Sequence, residues 1–119
     1  MRPRDLFASI PLMLGACASV PETAVPIADE ATFRSQIIGQ DLVYPNGETI
    51  VLREDGTFAG SVGGHTPVGT WSWFDDRFCP EVIIGDRDFP YECQEMFLDG
   101  DELTIVRADG SISSDIRLR

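Results

Sequence analysis

From Phe33 onward the chain alternates short apolar runs with clusters of turn-forming residues. The runs fall at 36–44, 49–53, 57–62, 68–74, 78–84, 91–98, 103–107 and 111–118. Their length suits strands, whose side chains point to opposite faces in turn. The last run alternates most cleanly. Ile112, Ser114, Ile116 and Leu118 share one face; Ser113, Asp115, Arg117 and Arg119 share the other. Such a period is expected of a sheet with one buried and one wet face. Asn46-Gly47, Asp55-Gly56, Asp99-Gly100 and Asp109-Gly110 separate the runs. Glycine there supplies the positive φ that tight hairpins need. No βαβ pattern is present. The expected fold is all-β: a small antiparallel meander closing into a barrel or a flattened sandwich.

The first third reads differently. Residues 6–16 form an apolar run behind Arg2 and Arg4, too short to span a bilayer comfortably. It ends in Leu14-Gly15-Ala16-Cys17: an aliphatic residue, two small ones, then a cysteine. This resembles the bacterial lipobox. The resemblance implies export, cleavage before Cys17 and acylation of that cysteine, with several chains giving stable anchoring. Ala18 stands where such proteins carry Asp for inner-membrane retention, so the expected location is the outer membrane, facing the periplasm. Pro21 and Pro26 discourage helix after it, although a short helix over 28–35 is possible. The expected organisation is a signal peptide at 1–16, a lipidated cysteine and flexible tether at 17–32, and an antiparallel β domain at 33–119.

Composition narrows the function. The chain has 119 residues, room for one small domain. Nine basic residues face 20 acidic ones, for a formal net charge of −11. Such a surface repels phosphate backbones, so nucleic acid is not an expected partner. It gains nothing from anionic headgroups, so attachment to the membrane would rest on the lipid at Cys17.

Cys79 and Cys93 are the cysteines left after lipidation. They lie on neighbouring expected strands, and an exported protein meets an oxidising compartment, so they are expected to form a disulfide. No Cys-x-x-Cys spacing points to redox work. His65, the single histidine, sits in a glycine-flanked loop without a partner for catalysis or metal binding. The acids mostly occupy turns, where Asp hydrogen-bonds its own backbone, and none follows the spacing of a calcium loop. Trp71 and Trp73, on one strand face, are expected to pack as core, with lining of a ligand site as the other reading. No metal, cofactor or catalytic residue is expected.

Asp55-Gly56-Thr57-Phe58, Gly60, Gly69-Thr70-Trp71, Cys79, Cys93 and Asp109-Gly110 together resemble a group of small exported proteins of alphaproteobacteria. That resemblance spans about residue 37 to the end and implies a compartment and a β framework, with no activity attached. The chain also resembles, more distantly, the periplasmic metalloprotease-inhibitor family of small one-disulfide barrels. There a flexible N-terminal segment enters the protease cleft. The expected function is a non-enzymatic binding or structural role in the envelope, with an envelope protein as a possible partner. Protease inhibition is the alternative.

Overall fold

A computed structural model describes residues 19–119; Cys17 and the expected signal peptide lie outside the described residues. The first regular element is β1 (Val25–Pro26), followed by α1 (Glu30–Gln36). Asp29 starts α1, its carboxylate accepting a hydrogen bond from the Thr32 amide at 2.8 Å. Glu30 and Arg34 pair along its outer face at 2.9 Å. Phe33 and Ile37, four apart, point the same way and are fully buried.

The remaining strands are β2 (Asp41–Val43), β3 (Thr49–Leu52), β4 (Phe58–Ser61), β5 (Val68–Phe74), β6 (Arg77–Ile84), β7 (Arg87–Phe89), β8 (Glu95–Asp99), β9 (Glu102–Val106) and β10 (Ile112–Leu118). They form a seven-stranded sheet in the order β1-β8-β9-β10-β2-β3-β4 and a three-stranded sheet, β5-β6-β7. All pairings are antiparallel. The sheets do not close into a barrel; the flattened sandwich is the form realised.

One hairpin turn recurs at Asn46-Gly47, Asp55-Gly56 and Asp109-Gly110. In each the glycine amide donates to the carbonyl three residues back, and the flanking residue closes the loop with its own amide. The Asn or Asp side chain accepts from the amide two residues on. For Asp55 and Asp109 the neighbouring Thr57 or Ser111 hydroxyl also donates, at 2.6 Å. These bonds hold both carboxyls below their ordinary range.

The disulfide joins Cys79 of β6 to Cys93, just ahead of β8. Beside it, Phe78 and Gln94 exchange backbone hydrogen bonds at 3.1 and 2.7 Å. The small sheet is thereby tied to the large one. The core between them and under α1 is built from Phe33, Ile37, Leu42, Leu52, Phe58, Trp71, Phe78, Met96, Leu103, Ile105 and Ile116.

The sequence-based expectations need correction in several places. Residues 36–44 are not one strand: the helix runs to Gln36, a turn follows, and only Asp41–Val43 pairs. Burial of Ile37 under the sheet outweighs the β propensity of the Ile37-Ile38 pair. The segment expected as tether up to residue 32 joins the fold much earlier. Val25 and Pro26 pair with Leu98 and Phe97, and Ile27 is buried. The loop at 85–90 contains β7, and the strand expected from residue 91 begins at Glu95. Finally, the alternation of β10 is broken. Ser113 faces Ile105 and Ile116 faces Leu103, so Ser114 and Asp115 together oppose one residue. Asp115 takes φ 60° in this bulge. Ser113 consequently shares a face with Ile116, where strict alternation puts it on the opposite one.

Candidate functional site: a cleft between the sheets

The even-numbered residues of β6 face the large sheet: Phe78, Pro80, Val82 and Ile84. Phe89 of β7, opposite Val82, continues that wall. Across from them stand Leu42, Ile50, Leu52, Phe58, Met96 and Ile105 of the large sheet. The walls do not meet along their whole length. They leave a cleft of about 320 Å³ with mostly apolar lining, within the range of small-molecule sites at roughly 300–1,000 Å³. The bulge in β10 aims Ser113 into it.

A few polar side chains break the apolar lining. Glu92, just before the bridge, accepts from Arg107 at 3.2 Å and from the Gln94 amide at 2.7 Å. Burial pushes the Glu92 carboxyl up, but the bonds from Gln94, Arg107 and the Ala108 amide, with the Arg107 charge, outweigh it and hold it below its ordinary range. Tyr44 also lines the cleft. Burial raises its phenol above the ordinary value against the pull of Arg107. Glu48 is committed to two loop contacts, accepting from the Gly63 amide at 2.7 Å and the Asn46 side chain at 2.8 Å. At the rim, the guanidinium of Arg87 lies 4.9 Å and that of Arg107 5.8 Å from the centre of the Phe89 ring.

Trp71 and Trp73 do share a face, as their spacing implies, but it is the part that α1 covers. Phe33 stacks on Trp73 at 4.6 Å and meets Trp71 edge-on at 5.3 Å. Neither indole lines the cleft. Both border a shallow surface groove with Glu30, Arg34 and Asp55, and both indole N–H groups are buried without an acceptor among the described residues. Arg34 lies over the Trp71 ring at 5.6 Å. His65 is exposed in a tight turn closed by its bonds with Val62. Its ring rests against Gly85, leaving no room for a Cβ there. Among the described residues, no three His, Cys, Asp or Glu side chains gather to hold a metal ion. Glu95, on β8, is exposed.

Sequence reasoning passed over Tyr44, Ser113, Arg87 and Arg107. No local motif marks them, because the cleft draws on strands far apart in the chain. The one available signal was the alternation of even positions along β6. No family model matches this chain, and neither does any curated protein or solved structure.

Proposed function

We propose that this is a lipid-anchored envelope protein whose β domain binds a small, largely apolar ligand and performs no chemistry on it. The observation that carries the reading is the apolar cleft of about 320 Å³ between the sheets. A non-enzymatic role fits the state of its polar groups. A general acid needs a raised pKa, whereas Glu92 is held low by its partners. Glu48 is occupied in fixing loops. Protease inhibition by a free leading segment draws no support from the N-terminal part of the fold, since Val25 and Pro26 are paired with β8 and Ile27 is buried.

The binding half is tested with N-phenyl-1-naphthylamine, an apolar dye that brightens out of water. Saturable binding at one site is expected. Ser113→Phe and Ile84→Trp, which fill the cleft from opposite walls, should each abolish it while cooperative melting is retained. Dye binding that survives in both folded variants would sink the proposal. The anchoring half rests on Cys17. Cys17→Ser should remove acylation and release the protein from the membrane fraction, or leave an uncut precursor. Metabolic labelling with a palmitate analogue reads this directly, and equal labelling of mutant and native chains would refute it.

A further inference from the structure

The charges around the cleft are not balanced evenly. Arg107 is neutralised by Glu92. Arg34, Arg77 and Arg117 likewise each have a carboxylate partner. Arg53, Arg87 and Arg119 have none among the described residues, and of these three only Arg87 lines the cleft. Its position is fixed by the sheet. Arg87 pairs with Ile84, a cleft residue, while the adjacent Asp88 pairs with the exposed Ile83 and so faces away. Its guanidinium is drawn over the Phe89 ring at the rim. An uncompensated cation therefore stands at the mouth of an apolar slot.

We infer that the cleft takes a single-chain amphiphile with an oxyanion head, the chain lying between Val82, Ile84 and Ile50 and the head on Arg87. This inference rests on the binding role proposed above and names the ligand class. The apolar walls recognise the chain through area alone, which is non-directional. Direction comes from the rim. A guanidinium offers parallel donors that match a carboxylate or phosphate. Arg107 is not open to the head: Glu92 already satisfies it, and a second anion there would stand against Glu92 and Glu48. The head therefore stays at the opening and the chain enters first. A cationic head would meet Arg87 at the rim and is disfavoured there.

The test displaces bound N-phenyl-1-naphthylamine from the full chain carrying Cys17→Ser, which lacks its own lipid. The competitors are dodecanoate, dodecyl phosphate, dodecanol and dodecyltrimethylammonium, each below its micelle-forming concentration. Dodecanoate or dodecyl phosphate should displace the dye best, and the tighter of the two identifies the head as carboxylate or phosphate. Arg87→Ala should weaken the anions about tenfold or more, the scale of a lost charge-assisted hydrogen bond. It should leave dodecanol unchanged, and Arg87→Lys should restore part of the loss. Equal displacement by dodecanol and dodecanoate, unaltered in Arg87→Ala, overturns the head assignment while the apolar cleft stands. Stronger displacement by the ammonium amphiphile does the same. Failure of the dye itself to bind overturns the binding role as well.

Discussion

Phe33→Ala should cost about 3–5 kcal/mol of folding stability, the range for removing a buried aromatic side chain. Phe33 has no exposed surface. Its ring meets Trp71, Trp73 and Phe78, with centroids 5.3, 4.6 and 5.8 Å away. Contacts of this kind add about 0.5–1.5 kcal/mol each beyond area burial. A helix of seven residues has no independent stability in water, so α1 stays in place because Phe33 and Ile37 plug the end of the sandwich. Small domains have only about 5–15 kcal/mol in total, so the variant should be half-melted at modest denaturant. Urea titration checks this: the midpoint should fall sharply with the slope unchanged. Arg34→Ala, one residue along and exposed, should shift stability by no more than about 1 kcal/mol. A loss below about 1 kcal/mol for Phe33→Ala would show that α1 does not hold the core.

The second large effect belongs to the bridge. Replacing both Cys79 and Cys93 by Ala should cost about 2–5 kcal/mol, as for native disulfides of small exported domains. The sequence separation of 14 corresponds to about 3 kcal/mol in the chain-entropy model. The consequence should also be local. Phe78 and Pro80 flank Cys79, Glu92 and Gln94 flank Cys93, and all four line the cleft. With the bridge gone, the exchange between Phe78 and Gln94 is the main backbone tie left at that wall. Dye affinity should therefore fall at temperatures where the double variant is still folded. Alkylation of the protein isolated without reductant should find no free thiol at either position. Two free thiols there, or undiminished stability in the double variant, would contradict the expectation.

What could be read from the sequence followed from chemistry local to a few residues. The Asp-Gly and Asn-Gly turns declared themselves because the glycine conformation and the Asx hydrogen bond both lie within the turn. The β5–β6 hairpin obeys the same local chemistry, with Asp75 and Asp76 taking the positive φ values of its two-residue loop. The disulfide followed from the number of cysteines and the expected compartment. Features set by distant partners were not legible. Val25 and Pro26 form a strand only because the edge of β8 is there to receive them. Gln36 and Ile37 end a helix because the sheet buries Ile37. Ser113 turns inward because of an extra residue in β10 that no period announces. That the two tryptophans pack as core is legible from their spacing on one strand, but what they pack against is not. Their actual partner, Phe33, lies about forty residues earlier in the chain, and that distance conceals the pairing.

The two-residue strand β1 has one more effect. Without it, the five residues of β8 would end the large sheet with a row of open backbone groups, a template onto which another chain can add. β1 caps that row and offers little in its place. It is short, and Pro26 has no N–H to donate. Under the proposed lipid anchor, copies on one membrane would meet repeatedly in two dimensions, at local concentrations far above those in solution. A blunted edge lets them collide without polymerising.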